Sequence, residues 1–90
     1  MTDGMGAGWA DVASRWQRLL NARPIPPRRL QNTGRNPIRV TARLMWEHDG
    51  EQLVDTRAVD WVGRDVLVEV FDPRWQTQGV WLDAGDVGRR

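Results

Sequence analysis

The 90-residue chain has no cysteine, no lysine and no tyrosine, and no apolar run long enough to span a bilayer. Without cysteine there is no disulfide, and without a Cys/His ligand spacing there is no structural zinc. The opening residues, MTDGMGAG, lack the basic start and apolar stretch of a secretory signal. These absences predict a cytoplasmic protein with no membrane partner. Nucleophilic chemistry has little to work with, since there is one Ser (Ser14) and one His (His48). A nucleophile needs a base within reach and a third group to orient that base. Asp55, Asp60 and Asp65 are available for acid–base work, but strand carboxylates are ordinarily solvated. Glu47-His48-Asp49-Gly50-Glu51 gathers three carboxylates and an imidazole without the alternating ligand spacing of a calcium loop. The stretch reads as a polar hairpin tip. The chain is therefore expected to be no enzyme, with no cofactor and no metal.

Ninety residues give room for one domain, and a small domain buries a modest fraction of its surface. Six tryptophans compensate, because each can bury a large area; self-association is the other way to gain stability. Charge is unevenly placed. Residues 1–45 carry eight Arg against Asp3 and Asp11, a balance of +6, while residues 46–90 carry five Arg against ten Asp and Glu, a balance of −5. All thirteen basic residues are Arg. Arginine-rich coding bias explains that choice, and so does a need for planar, bidentate contacts to phosphate or carboxylate.

Residues 1–8 carry no pattern and read as a mobile tail. Trp9, Val12, Ala13, Trp16, Leu19 and Leu20 then fall at helical spacing, which predicts an amphipathic α-helix over 9–21. Asp11 and Arg18 suit the two ends of its dipole, and Asn21 is a natural stop. Its Trp/Leu stripe is expected to pack over the open end of the β domain, the alternatives being a partner's groove or a second copy. Residues 22–37 form a Pro/Arg linker that proline and glycine keep out of helix and central strand. Pro24, Pro27 and Arg29 fit the pattern PxxPxR of polyproline ligands. The plainer reading is a stiff spacer, and a third is that the linker lies on its own domain and covers tryptophan.

From Ile38 the period becomes two. Ile38, Val40, Ala42, Leu44 and Trp46 share one face of a first strand. His48-Asp49-Gly50 turns the chain, with Gly50 in the left-handed position. The preferred register sets Arg43 opposite Asp55 and Leu44 opposite Val54. In the second strand Val54, Thr56 and Ala58 share a face, and Val59 and Trp61 switch to the other, which signals a β-bulge. Val66, Val68 and Val70 form a third strand, and Asp72-Pro73-Arg74 is a type I turn. Gly79–Leu82 is a fourth strand, and Gly85-Asp86-Val87 turns into a fifth.

Five short strands with a bent second strand, ending in Gly79-Val80-Trp81-Leu82 and Gly85-Asp86-Val87, resemble the SH3-like barrel family at the level of fold. The resemblance implies a mainly β, five-stranded, partly open antiparallel barrel over 38–90, preceded by the helix. The absence of Tyr departs from the peptide-binding members of that family. The short, Arg-rich, Trp-rich, Lys-free composition is similar to that of small proteins of actinobacteria and their phages.

Two functions stay open. One is a protein-interaction or adaptor module, such as a phage or mobile-element accessory protein, with a protein partner or a second copy. The other is a nucleic-acid-binding module whose Arg arm tracks phosphates, with bases stacking on an exposed indole. The candidate binding residues are Arg28, Arg29, Arg35, Arg39, Arg43 and Trp75, the last chosen because it follows a turn beside Arg74. Arg43–Asp55 and Arg39–Asp60 are the ion pairs expected if arginine instead serves the acidic surface.

Overall fold

The computed structural model describes residues 15–90. They form five strands, β1 (Ile38–Trp46), β2 (Gly50–Val62), β3 (Asp65–Glu69), β4 (Gly79–Asp83) and β5 (Val87–Arg89), with 3₁₀ turns at Arg28–Leu30 and Ala84–Asp86. All neighbours are antiparallel, in the order β4-β3-β2-β1-β5. The protein is mainly β. The sheet stays open, because β4 and β5 lie at its two ends and do not pair with each other. A closed barrel needs that pairing.

Alternation fixes what is buried. Val40, Ala42, Leu44 and Trp46 of β1, Ala58 of β2, Val68 of β3, and Val80 and Leu82 of β4 line one face and make the core. Gly50 opens β2 and Gly63 follows its last residue, at φ 79° and 59°, in the left-handed region that glycine occupies without a Cβ clash. The β1–β2 register differs from the expected one. Arg43 faces Leu53 and Leu44 faces Gln52, across a three-residue loop at 47–49. The charge match that favoured Asp55 is made elsewhere. Arg43 reaches Glu51 and Asp86, and Asp55 accepts a hydrogen bond from Thr41 at 3.0 Å. A long guanidinium finds carboxylates diagonally, so the Arg–Asp match does not select the register.

The phase switch in β2 is a β-bulge at Val59, between the pairs Ala58–Val68 and Asp60–Leu67. Strict alternation from Val54, Thr56 and Ala58 would drive the Asp60 carboxylate into the apolar core. The extra residue turns Asp60 to the other face and gives the core face to Trp61.

No α-helix forms between Arg15 and Asn21, the described part of the expected 9–21 helix. Trp9, Val12 and Ala13 of the stripe, Ser14 and the tail at 1–8 lie outside the described residues. Leu19 instead makes a single bridge to Trp46 and enters the core. The Leu20 amide donates to the Met45 carbonyl at 2.7 Å, and the Glu47 amide to the Arg18 carbonyl at 2.9 Å. The Asn21 carboxamide acts as a strand surrogate, donating to the Arg43 carbonyl and accepting from the Met45 amide. Beyond β5, the edge of β1 holds backbone groups that need partners. A short helix, marginal by itself, would leave them unmet. Edge pairing wins, and alternation then buries Leu19 and exposes Leu20.

The linker lies on the sheet. The Arg23 amide donates to the Trp81 carbonyl at 2.7 Å, and its guanidinium pairs with Asp65. Pro26 is buried. Farther on, Asp60 accepts from the Asn32 amide at 3.0 Å and from Arg35 Nε at 3.0 Å. Asp60 is 2% exposed, the one buried charged residue among those described. Its partner is therefore Arg35 and not Arg39. Breaking a buried pair from one side leaves a charge without compensation, so Arg35→Ala should lower unfolding free energy by about 3 kcal/mol. Arg39→Ala should change it by less than about 0.5 kcal/mol, as at a surface site. Urea titrations of both variants check this, and equal effects would contradict the arrangement.

Candidate interaction surface

The arginines divide into two groups. Arg23, Arg35, Arg43, Arg57, Arg64, Arg74 and Arg90 each lie within 4 Å of a carboxylate oxygen. Of the five arginines expected to bind, Arg35 and Arg43 are thus engaged inside the fold. Arg28, Arg29 and Arg39 are exposed and have no carboxylate partner among the described residues. The structure does not place Trp75 as an exposed stacking platform. Its ring packs against the core and its indole N–H donates to the Gly79 carbonyl at 2.9 Å. The Asp72-Pro73-Arg74 turn, closed by the Trp75 amide on the Asp72 carbonyl, folds the ring inward.

Two guanidinium–indole stacks sit toward opposite ends of β2. Arg35 lies 4.5 Å from the centroid of Trp61, and Arg74 lies 4.1 Å from that of Trp46. Arg74 is a hub. It binds both oxygens of Asp72, at 2.9 and 2.8 Å, and reaches Asp49 and Gln52. The Gln17 side chain donates to Asp49 and accepts from the His48 and Asp49 amides, while its own amide donates to the Arg74 carbonyl. The hub thus joins the β1–β2 hairpin, the loop before β4 and the segment at 17–21. No signal in the sequence beyond the Asp-Pro-Arg turn announces it.

Beside the hub lies apolar surface. A cleft of about 500 Å³ is lined by Trp16, Leu19, Leu20, Ala22, Trp75 and polar neighbours including Gln17 and Thr77. A second depression, of about 680 Å³, is lined by Ile25, Val59, Leu67 and Trp81 among others, and shares Ala22, Trp75 and Thr77 with the first. The two are continuous. Trp16, Leu20 and Ile25 on this surface are 41%, 62% and 75% exposed. Exposed apolar residues scattered singly mean little, and a contiguous band makes this surface the candidate site. The helical reading of 9–21 hid it, because that reading buried Trp16 and Leu20 together with Leu19.

No helix among the described residues is long and apolar enough to cross a membrane. Comparison with family models, with curated proteins and with solved structures finds no match to this chain.

Hydrogen bonding from Arg74 holds the Asp72 carboxyl below its ordinary value, and the same pairing raises the guanidinium. A carboxylate lowered in the folded state stabilises above its unfolded value, near 3.9, and loses that contribution as pH falls below it. Asp72→Asn keeps an acceptor but not the charge. The variant should be less stable than the parent at pH 7, with a smaller gap at pH 3. Urea midpoints at the two pH values check this, and a gap independent of pH would contradict an ionic role.

Proposed function

We propose that the protein is a non-enzymatic protein-interaction module, an adaptor built on an open relative of the SH3-like barrel. The strand order β4-β3-β2-β1-β5, the bulged β2 and the 3₁₀ turn between β4 and β5 support the likeness. The observation that carries the function is the continuous cleft on which Trp16, Leu20 and Ile25 stand exposed around Trp75. A partner's apolar side chains fit such a surface, and a buried tryptophan at the centre of an interface supplies much of its binding energy. The surface is preformed. The Gln17 and Leu20 amides bond to the Arg74 and Met45 carbonyls, and the Arg23 amide to the Trp81 carbonyl, so the segments that carry the exposed residues are held and little ordering opposes binding.

A second reading, contact with a nucleic-acid backbone, draws on Arg28, Arg29 and Arg39, which have no carboxylate partner among the described residues. It lacks the stacking surface that Trp75 was expected to provide.

Substituting Trp16, Leu20 and Ile25 together by Ser separates the two. Their exposure means stability should fall by no more than about 1 kcal/mol. Affinity capture from cells that make the protein, quantified for parent and variant, should show a protein partner lost with the triple substitution. If no captured protein depends on those side chains, the interaction reading fails. Salt-sensitive binding of labelled DNA, lost when Arg28, Arg29 and Arg39 become Ala, would put the nucleic-acid reading in its place.

A further inference from the structure

Strand β5 carries a separate feature. The Arg90 amide donates to the Arg39 carbonyl, which sets the phase of the β1–β5 ladder. Thr41 and Gly88 then exchange hydrogen bonds, while the Val87 and Arg89 backbones point away from β1. The Val87 amide is taken by the Ala84 carbonyl. The Val87 carbonyl and the amide and carbonyl of Arg89 have no backbone partner among the described residues. The β4 edge differs, since Arg23 occupies its Trp81 carbonyl, and Trp75 and Thr77 occupy its Gly79 carbonyl. Next to the open β5 edge, where the sheet fails to close, is an apolar groove of about 290 Å³. Ile38, Val40, Trp61, Val66 and Val87 line it, with Arg89 among its walls. Arg89 is exposed and has no carboxylate partner among the described residues.

We propose that β5 and this groove bind an extended, acidic segment of a partner protein by strand addition. This goes beyond the cleft reading, which concerns the separate surface around Trp16, Leu20, Ile25 and Trp75. Added antiparallel, such a segment meets three unpaired backbone groups. Residues facing Arg89 and Val87 lie on the groove side, two apart, so the recognised pattern is an acidic residue, any residue, then an apolar one. Gly88 leaves room for the middle side chain, because a Cβ at Gly88 meets nothing within 4 Å. Charge sets the occupant. A second copy paired β5 to β5 sets Arg89 opposite only Val87 or another Arg89, whereas a carboxylate there gains a charge-assisted hydrogen bond.

The test uses a labelled acetyl-Thr-Glu-Thr-Val-Thr amide and its Lys-for-Glu counterpart. Fluorescence anisotropy gives the affinity, and amide shifts of ¹⁵N-labelled full-length protein locate the site. The acidic peptide should bind with shifts at Val87–Arg89, and Arg89→Ala should weaken it about tenfold, the worth of one charge-assisted hydrogen bond. The Lys peptide should not bind, and N-methylation of the peptide's Glu should abolish binding by removing the donor to the Arg89 carbonyl. Equal binding of the two peptides, no effect of Arg89→Ala, or no binding at millimolar peptide would each overturn the proposal. Shifts confined to the Trp16–Trp75 cleft would overturn it too, while leaving the cleft reading in place.

Discussion

The carboxylate of Asp60 ties the irregular N-terminal part of the described chain to the sheet. It accepts from the Asn32 and Trp61 amides and from Arg35, and the Arg35 guanidinium stacks on Trp61 and bonds its carbonyl. A charge this buried is tolerated only when its lone pairs are filled. Here one sheet residue and two linker residues fill them. The bulge at Val59 makes the arrangement possible by turning Asp60 away from the core and toward the linker. Removing the bulge would turn the carboxylate into the apolar core that holds Ala58, Val68 and Val80.

Arginine is the working residue of this fold. Arg35 and Arg74 each cover one indole and grip one principal carboxylate, Asp60 and Asp72, toward opposite ends of β2. A planar guanidinium can stack and bond bidentately at once, which a lysine ammonium cannot. Composition bias does not by itself explain such placement. Six tryptophans in a small domain bring polar N–H groups with them, and two of these are met locally. Trp46 donates to Gln52 and Trp75 to the Gly79 carbonyl. The open sheet is thus reinforced at both ends by stacked, ion-paired side chains in place of a disulfide.

Much of the β architecture was legible in the sequence. The period of two in Ile38–Trp46, the glycine at 50, the phase switch after Ala58, the Asp72-Pro73-Arg74 turn and a turn before β5 all follow from local chemistry, and all are present. What failed was set by contacts between distant residues. Helical spacing from Trp9 to Leu20 carries no information about the unpaired edge of β1, and that edge draws residues 18–21 into extended pairing. Charge matching chose Asp55 for Arg43, yet Glu51 and Asp86 lie within reach once the hairpin closes two residues earlier. Trp75 follows a turn, and local sequence does not say which way the turn faces. The candidate surface was less legible than the fold for the same reason, since Trp16, Leu20, Ile25 and Trp75 come together only when two irregular segments cross the sheet edge.

A preformed surface requires that the linker be bound to the sheet in the free protein. Native-state hydrogen exchange of the Arg23 and Asn32 amides tests this most directly, because these two donate to the Trp81 carbonyl and to Asp60. Protection comparable to that of amides within β3 and β4, with Asn32 losing it in Arg35→Ala, is the expected result. Exchange of both amides at the rate of an unstructured chain, beside a protected sheet, would show that the linker is not held and that neither the Asp60 anchor nor the surface built on it exists in the free protein.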